Sequence, residues 1–465
     1  MPPHPRRRDS RTALRYLAAR TRLGVKFGLE TIRALVERLG HPEAAYPSLL
    51  VAGTNGKGSV VAYADAALRA SGLKVGRYTS PHLVRVNERI AVNGRDIGDQ
   101  ALDRAVERVR VAAQDLLRAG AITAHPTYFE AVTAAAFEHF RERRVDVAVL
   151  EVGMGGRLDA TNVVDPVASA IVSVDLDHEA YLGSTLAAIA REKAGVLRAG
   201  RATVLGPLAP EARDAIGGIA RDLHARLVDA RAGTEVRRGA EGLEVRTPHG
   251  LYRGLRPLPG AHQVDNALVA LRLLEEARAA GLACDLERAA DAIGTARWPG
   301  RLERIAGRPA ILLDGAHNPA AARALADHLR GIGPFVLVFG AMRDKDVRGM
   351  AEVLFPLARH IVLTRPRVDR AARPAEIAEA AGQVARRARL EDSPRRALAW
   401  ARRQAENDST VVVAGSLFLV GALRPLTRAS RASAAGAPSR SRRGQGRRSS
   451  SRSRATRQPP SPKRR

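Results

Sequence analysis

Short apolar runs alternate with helical patterns along the first half of the chain. Strands are predicted at 48–52, 73–78, 145–152 and 167–175, and helices at 29–39, 59–71, 99–118 and 128–142. Strands that alternate with helices build a largely parallel sheet covered by those helices. The first half is therefore predicted to be an α/β domain.

A second alternating series begins near residue 300. Its predicted strands are 309–313, 335–339, 360–364 and 410–414, and its predicted helices are 319–331, 346–356, 373–386 and 393–406. Between the two series, residues 225–258 contain short runs separated by Gly-containing turns, which predict a small antiparallel patch. The Pro-Gly pair within Ala296–Arg301 indicates a linker. We therefore expect two α/β domains, at 1–298 and 299–427.

The positive charge of the chain is unevenly distributed. The 465 residues carry a formal net charge of +28, and residues 428–465 contribute 13 Lys or Arg side chains and no acidic one. The Arg-, Ser- and Pro-rich composition of this segment offers nothing to bury, so it predicts a disordered basic tail. Such a tail can bind nucleic acid non-specifically, or it can be an incidental product of an arginine-rich composition.

The cysteine content and the hydropathy of the chain indicate the cellular compartment in which the protein is expected. The single cysteine, Cys284, leaves no intrachain disulfide and no cysteine-rich metal site to expect. No apolar segment follows Arg6–Arg8, so a secretory signal is not expected, and no apolar run is long enough to span a bilayer. These features predict a cytoplasmic protein with no membrane partner.

The most specific chemical motif is the loop Gly53–Ser59, which follows the strand predicted at 48–52 and precedes a helix. Its backbone N–H groups can cradle a phosphate, and Lys57 supplies a positive charge for the outer phosphates. Val51 stands where the usual phosphate loop has Gly, and Gly58 separates Lys57 from Ser59. The alternative is a glycine-rich turn with no ligand, but the flanking strand and helix favour nucleotide binding.

Lysine is rare in this chain, since only six of its 76 basic residues are lysines. Arginine is planar and permanently charged, so it replaces a compact or deprotonatable amine poorly. Lys57, Lys193 and Lys345 are therefore candidate functional residues. Chance retention is the simpler account of the other three lysines.

Polar residues follow the other strands of the first half. Ser80 follows the second predicted strand, Glu151 ends the third, and His178 follows the fourth. Ligands of open α/β sheets gather at the carboxyl ends of the strands, so these side chains are expected to share one edge. A hydroxyl, a carboxylate and an imidazole beside a phosphate cradle are candidate Mg²⁺ ligands, although histidine is a less usual choice. Taken singly, each is also an ordinary turn, strand-end or loop residue.

Lys193 lies near the end of a helix predicted at 184–195. Leu186, Ile189, Ala190 and Lys193 fall on one face of that helix. Partial desolvation there favours the neutral amine, which can react with carbon dioxide to give a carbamate, an anionic metal ligand. The spacing alone favours the alternative, a lysine that extends its ammonium to solvent.

The second half offers weaker candidates at the ends of its strands. Asp314 could hold a ribose hydroxyl or a phosphate-bound water, and Arg301 could grip phosphates. Asn266, between the two series, could hydrogen-bond a base edge. A strand-end Asp-Gly pair is also an ordinary turn.

Together these motifs resemble the folylpolyglutamate synthase and dihydrofolate synthase family within the Mur ligase superfamily. The matching pieces are Gly53–Ser59, Ser80–His82, Tyr128–Glu130, Glu151–Asn162, Asp177–His178, Glu192–Gly195, His262–Asn266, Pro299–Glu303, Asp314–Pro319 and Asp344–Asp346. They occur in the family's order, and the resemblance as a whole spans residues 28 to about 421. The resemblance implies a P-loop-containing parallel-sheet ATPase domain with a small β patch at 1–298, followed by a smaller Rossmann-like glutamate ligase domain at 299–427.

The resemblance also implies ATP and Mg²⁺ as cofactors, with K⁺ as a further candidate. The implied catalytic residues are Lys57, Lys193 (carbamylated) and His178, and the implied Mg²⁺ ligands are Ser80, Glu151 and His178. The implied ATP contacts are Thr54, Asn55, Gly56, Lys57, Gly58, Ser59, Asn266, Arg301, Asp314 and His317. The implied pterin contacts are Gly28, Leu29, Glu30, Thr31, Thr127, Tyr128, Phe129, Glu130, Leu158, Asp159 and Ala160. The family often has Arg after the Glu of its first motif, whereas Thr31 follows Glu30 here.

The resemblance implies a monomeric, ATP-dependent amide ligase. ATP would phosphorylate a substrate carboxylate, and the amine of L-glutamate would then capture the acyl phosphate. The substrates would be dihydropteroate and reduced folates that gain further glutamates. Alternatives within the class are polyglutamate extension alone or another Mur-type amino-acid ligase. An alternative of a different class is a nucleic-acid-binding NTPase that uses the basic tail, but no known nucleic-acid-binding module is recognisable in the sequence.

Overall fold

The computed structural model describes residues 11–20, 28–405 and 409–434. They form two α/β lobes, each with its own mainly parallel sheet. We call the described residues up to 298 the first lobe and those from 299 onward the second lobe. No helix in the described parts of the chain has both the length and the apolar character needed to cross a membrane.

The first lobe is built on an eight-stranded sheet. Its strands are β1 (Ser48–Ala52), β2 (Val75–Tyr78), β3 (Ile90–Val92), β4 (Arg95–Asp96), β5 (Val147–Glu151), β6 (Ala168–Ile171), β7 (Ala202–Leu205) and β8 (Arg226–Asp229). Their order is β4-β3-β2-β5-β1-β6-β7-β8. The antiparallel pairing in this sheet lies at one edge, where β3 pairs antiparallel with both β2 and β4.

Helices cover both faces of this sheet. They are α1 (Arg11–Arg20), α2 (Glu30–Arg38), α3 (Lys57–Ala70), α4 (Asp99–Arg118), α5 (Tyr128–Arg143), α6 (Glu179–Leu182), α7 (Leu186–Ala194), α8 (Pro210–Asp222), α9 (His262–Ala279) and α10 (Leu286–Ala292). In β1, Leu49 and Val51 belong to the core beneath α3 and α9, while Leu50 and Ala52 belong to the core beneath α4 and α5. Burial on both faces explains why β1 reads as an unbroken apolar run.

The predicted antiparallel patch is smaller than the sequence indicated. It consists of β9 (Glu235–Gly239), β10 (Gly242–Thr247) and β11 (Gly250–Leu255). Residues 226–229 were wrongly expected to belong to it, because β8 pairs in parallel with β7 at the edge of the large sheet. Val228 completes the same core as Leu49, so tertiary packing decides a strand direction that a four-residue run does not encode.

The second lobe is built on a six-stranded sheet. Its strands are β12 (Glu303–Ile305), β13 (Ala310–Leu313), β14 (Phe335–Phe339), β15 (His360–Leu363), β16 (Arg389–Leu390) and β17 (Thr410–Ala414), in the order β12-β13-β17-β14-β15-β16. Only β12 is antiparallel. The helices are α11 (Pro319–Leu329), α12 (Val347–Leu354), α13 (Pro374–Ala381), α14 (Pro394–Gln404) and α15 (Leu417–Ala434).

The predicted fold class is confirmed: a parallel-sheet α/β domain with a small β patch precedes a smaller α/β domain. The boundary at 298/299 stays a prediction, although β12 begins at Glu303. The disordered tail was expected to begin at 428, but α15 continues to Ala434. Leu419 and Leu423 anchor this helix in the core, and the following Arg and Ala residues are good helix formers that let it continue. Residues 435–465 lie outside the described part of the chain.

Candidate active site

The two lobes enclose a cavity of about 610 Å³ at the carboxyl ends of the first-lobe strands. Most of the predicted site residues line it: Gly28, Thr54, Asn55, Gly56, Lys57, Gly58, Ser59, Ser80, Thr127, Phe129, Glu130, Glu151, Leu158, Asp159, Ala160, His178, Lys193, Asn266, Arg301, Asp314 and His317. The structure thus brings residues from four first-lobe strand ends, four helices and both lobes to one wall.

Four predicted pterin contacts do not reach the cavity wall. Leu29 and Thr31 are buried in the first lobe, where α2 packs against α4 and α5, and Glu30 is exposed. Tyr128 is half-buried, with the guanidinium of Arg89 5.3 Å from its ring centre. Leu29 therefore packs in the first-lobe core, whereas the Glu30 carboxylate lies against Gly28, where an added Cβ atom would be 2.1 Å from Oε2.

The phosphate loop is held against the segment that follows β6. The backbone N–H of Thr54 donates to the Ser173 carbonyl at 2.9 Å, and that of Asn55 donates to the Ser173 hydroxyl at 2.9 Å. The Asn55 amide also donates to the Asp175 carboxylate at 3.0 Å. No side chain caps the start of α3, so the backbone donors there face the cavity without a local acceptor. Uncapped backbone donors at a helix N-terminus can bind an anion.

Lys57 is folded back onto this loop. Its Nζ donates to the carbonyls of Gly53 at 2.9 Å and Thr54 at 3.2 Å. Burial lowers the pKa of Lys57, and the nearby carboxylates of Glu151 and Asp177 oppose that shift. The ammonium is thus held inside the cavity near two anions.

Packing explains why glycine occupies position 58, where the sequence departs from the usual loop spacing. A Cβ atom at this position would lie 2.7 Å from the indole ring of Trp298. The next residue, Ser59, accepts a hydrogen bond from Gln263 at 3.2 Å. The glycine therefore lets the start of α3 pack tightly against both α9 and the linker between the lobes.

The three candidate metal ligands lie at the same edge of the sheet: Ser80 and Glu151 at the ends of the neighbouring strands β2 and β5, and His178 after β6, which β1 separates from β5. The backbone N–H of Ser80 donates to Glu151 Oε2 at 3.1 Å. Burial raises the pKa of Glu151, and the Lys57 ammonium lowers it. Burial, reinforced by Lys345, lowers the pKa of His178 to about 4, so its imidazole is neutral at pH 7 and can bind a cation.

The donor chemistry of this set fits Mg²⁺ that keeps part of its water shell. Ser80 and Glu151 offer oxygen atoms, and His178 offers a neutral nitrogen. The described residues contain no group of three or more His, Cys, Asp or Glu side chains that could hold a metal by themselves. A magnesium ion here would therefore need water and phosphate oxygens to complete its coordination, which is the usual habit of this ion.

Lys193 is buried, contrary to the expectation that its ammonium reaches solvent. Its relative exposure is 2%, and Ile189 and Ala190 on the same face of α7 are also buried. Burial, with Lys57 nearby, lowers the pKa of Lys193 from 10.5 to about 7. Hence a large fraction of this amine is neutral at physiological pH.

The Asp159 side chain and the Thr127–Glu130 pair organise the loops that carry them. Asp159 accepts hydrogen bonds from the backbone N–H groups of Met154 and Thr161, both at 3.0 Å. Glu130 Oε2 accepts from the Thr127 N–H at 2.8 Å, and Thr127 caps α5 in return. Glu130 Oε1 is buried and has no hydrogen-bond partner among the described residues, which leaves an acceptor beside the cavity.

The second lobe contributes Arg301, Asp314 and His317 to the wall. Asp314 accepts the N–H groups of Leu302 at 2.9 Å and Ala316 at 2.8 Å, so it shapes its own loop. His317 Nδ1 donates to the Gly315 carbonyl at 2.8 Å. Within the described parts of the chain, the Arg301 guanidinium has no ion-pair partner within 4.0 Å, and it can receive an anion.

A network around Asp177 joins the two lobes. Lys345 Nζ lies 2.5 Å from Asp177 Oδ1, and Asn318 Nδ2 donates to Asp177 Oδ2 at 3.2 Å. Asn318 also exchanges hydrogen bonds of 3.1 and 3.3 Å with Asn55 in the phosphate loop. Burial alone would raise the pKa of Asp177, but Lys345 and the neighbouring histidines hold it well below its usual value.

Some residues on the wall were not among the predicted site residues. They include Arg89, Asp175, Asp177 and Gln263. Asp175 and Asp177 follow the same strand as His178, so strand-end position was an available signal. Arg89 gave no signal, because it reaches the wall from a turn that sequence periodicity does not describe.

Comparisons with known proteins identify the class of this two-lobed molecule. The Mur ligase middle domain matches residues 51–274, and the Mur ligase glutamate ligase domain matches residues 300–417. A Bacillus subtilis dihydrofolate synthase/folylpolyglutamate synthase is 34% identical over 88% of this chain and 97% of its own length. The structure of E. coli FolC in complex with DHPP and ADP matches with a TM-score of 0.80 and 30% identity, over 90% of this chain and 98% of that one. The chain belongs to the dihydrofolate synthase/folylpolyglutamate synthase family of Mur ligases.

Another relative is longer. A probable bifunctional folylpolyglutamate synthase/dihydropteroate synthase of Halobacterium salinarum is 40% identical over 89% of this chain. The match covers 51% of that protein, so the present chain spans about half the length of this relative.

Proposed function

We propose that this protein is an ATP-dependent ligase that joins L-glutamate to dihydropteroate and adds further glutamates to reduced folates. One observation carries the proposal: the Lys57 loop, Glu151, His178 and the buried amine of Lys193 line a single cavity between the lobes. The names of the relatives supply the substrate class.

The phosphate loop would bind ATP. The backbone donors at the start of α3 and the Lys57 ammonium face the cavity, and Arg301 faces it from the second lobe. Together they can neutralise the negative charge that builds on the transferring phosphoryl group. Asn266, Asp314 and His317 would complete the nucleotide contacts.

Ser80, Glu151 and His178 would hold Mg²⁺, and K⁺ stays a further candidate cation. A bound magnesium ion would polarise the phosphate oxygens. Lys193, with a pKa of about 7, is suited to form the carbamate expected at this position, which would turn a cation into an anion beside the metal. The neutral imidazole of His178 keeps its lone pair available.

The ligation needs a dry site. An acyl phosphate is destroyed by water, so the amine of glutamate must reach it before solvent does. The cavity lies between two lobes that contact each other through Asp177, Asn318 and Lys345, which supports sealing by lobe closure. The linker near Trp298–Gly300 is the proposed hinge.

The pterin-bearing substrate would lie beside the first-lobe residues of the wall. Phe129 and Leu158 offer apolar surface, and the unpartnered Oε1 of Glu130 offers an acceptor. Leu29, Glu30, Thr31 and Tyr128 would shape these loops and would not contact the pterin. We propose a monomer in the cytoplasm, consistent with a free thiol at Cys284, and a basic tail that binds polyanions non-specifically.

The test is a side-by-side assay of the purified full chain with ATP, Mg²⁺ and L-glutamate. One arm contains dihydropteroate and the other a reduced folate, and both phosphate release and glutamate incorporation are measured. Product in both arms supports the bifunctional enzyme, and product only with the folate supports polyglutamate extension alone. Absence of glutamate-dependent phosphate release in both arms would reject the proposal.

A further inference from the structure

Lys345 is a buried lysine that the proposed chemistry does not use. It lies on the loop after β14 in the second lobe, and its side chain is 7% exposed. Its Nζ crosses to the first lobe, where it lies 2.5 Å from Asp177 Oδ1 and 3.4 Å from His178 Nε2. The ammonium from the second lobe thus forms an ion pair with Asp177 of the first lobe and lies beside the imidazole of His178.

Asp177 receives further groups from the second lobe. Its side chain is 6% exposed, the Asn318 amide donates to it, and His317 Nε2 lies 3.7 Å away. A buried ion pair offsets the cost of desolvation only when its geometry is good and the remaining lone pairs are satisfied, and here they are. Removing one partner would leave a buried charge that is only partly compensated.

The same network reaches the phosphate loop. Asn318, which donates to Asp177, also exchanges two hydrogen bonds with Asn55. The position of the second lobe is therefore tied to the loop that would carry the nucleotide phosphates. Asp177 is the shared acceptor at the centre of this contact.

A lysine suits this position better than an arginine. The compact ammonium has three donors on one atom and fits between a carboxylate and an imidazole, whereas a planar guanidinium needs a wider space. The chain uses arginine for nearly all its other basic positions, so the retention of lysine at 345 is consistent with a steric requirement.

We propose that the Lys345–Asp177 ion pair is a latch that holds the second lobe against the phosphate loop, which makes Lys345 a positioning residue for ligation. The inference rests on the proposed function. Without the latch the lobes would open more often, and water would reach the activated carboxylate before glutamate does.

The experiment compares the wild type with Lys345→Met, Asp177→Asn and the double variant. Two quantities are measured under saturating substrates: the rate of glutamate incorporation, and the ratio of phosphate released to amide formed. We expect each single variant to lose at least tenfold in the incorporation rate and to raise that ratio above one. The incorporation rate of the double variant should be no lower than that of the slower single variant, because both changes break the same contact.

Two controls separate this role from general destabilisation. Lys74→Met removes a lysine from the first lobe outside the cavity and should leave both quantities unchanged. Lys345→Arg keeps the charge but not the compact shape. Its rate of glutamate incorporation should lie between that of Lys345→Met and that of the wild type. A loss of rate with an unchanged phosphate-to-amide ratio, or losses that multiply in the double variant, would overturn the latch.

A readout without substrates distinguishes failure of the latch from failure of the proposed function. The radius of gyration of the full chain, measured by small-angle scattering, should be larger for Lys345→Met than for the wild type and for Lys74→Met. Equal radii would count against the latch even if ligation fails in every protein. Conversely, a wild type that forms no amide while Lys345→Met expands would reject the substrate assignment and keep the latch.

Discussion

At the scale of the residue, burial decides the chemistry of the two lysines beside the phosphate loop. Lys57 and Lys193 have lowered pKa values because each is enclosed by protein, and the two ammonium groups also repel each other. The helical spacing around Lys193 identified the correct face of α7 but did not show that the side chain is buried, that is, its depth in the protein. Depth depends on the segments that close over the face, and a local pattern does not contain them.

Lys193 should be essential through its reactive amine. Lys193→Ala should lose most of the ligase activity, because the proposed carbamate beside the metal ion would then be missing. Short carboxylates such as formate or acetate should restore part of the turnover by occupying the vacated space. Full turnover of the variant without any added carboxylate would exclude a role in the metal site.

The same lysine should make the unfolding free energy depend on pH. Its pKa is about 7 in the folded protein and near 10.5 when exposed, so the unfolded chain binds more protons between these values. Unfolding free energy should therefore rise with pH from about 7 to about 10 through this group. The midpoint temperature of unfolding is measured at several pH values for the wild type and Lys193→Met, in buffers free of carbon dioxide. Between about pH 7 and pH 10 it should rise more steeply with pH for the wild type. Parallel curves would mean that the amine is not buried as described.

At the scale of the element, the loop after β2 links the candidate metal site to the second lobe. Leu83, three residues after Ser80, packs against the second-lobe core that contains Val420. Its backbone carbonyl lies against Gly421 in α15, where a Cβ atom would be only 1.9 Å from the Leu83 oxygen. The glycine therefore permits the close approach of two elements from different lobes.

Gly421→Ala should force α15 and this loop apart. We expect the unfolding free energy to fall by roughly 1–3 kcal/mol, the usual cost of an overpacked contact, and the Mg²⁺ concentration for half-maximal activity to rise because Ser80 moves. The matched control is Gly218→Ala in α8, where no atom lies within 4 Å of the added Cβ. That change should stabilise the protein by about 1 kcal/mol through helix propensity. Chemical denaturation of both variants, with a magnesium titration of activity, tests the contrast.

The elements themselves were largely predictable where they are long and periodic. The helices at 99–118 and 128–142 and the strands at 48–52 and 335–339 follow from apolar patterns that a single buried face or a fully buried strand imposes. The short strand β8 was assigned to the wrong sheet, because four residues carry too little pattern to specify a partner. The helical residues 428–434 were missed because composition describes a segment on its own and not its attachment to a packed helix.

At the scale of the whole molecule, the candidate site is built by both lobes. Residues from both lobes line one cavity, and the groups around Asp177 join them across it. The basic segment after Ala434 is separate from this contact in the sequence. Residues 435–465 contain 11 Lys or Arg side chains and no acidic one.

Deleting residues 435–465 should leave ligase turnover unchanged, because α15 and the cavity wall stay intact. The same deletion should weaken binding to RNA, and the salt dependence of that binding should become less steep since fewer phosphates are neutralised. Ligase assays and filter binding at several salt concentrations measure the two effects. A clear loss of turnover would assign the tail a part in catalysis.

The sequence by itself determined the α/β class, the order of the long elements and the residues of the phosphate loop, because each of these follows from local periodicity or from a motif with its own backbone chemistry. Only the tertiary structure decided which predicted contacts share a wall, that Lys193 is buried, and that Asp177 and Lys345 meet across the lobes. The physical reason is that burial and long-range pairing arise from segments far apart in the chain, such as residues 177 and 345, whose proximity no local pattern encodes.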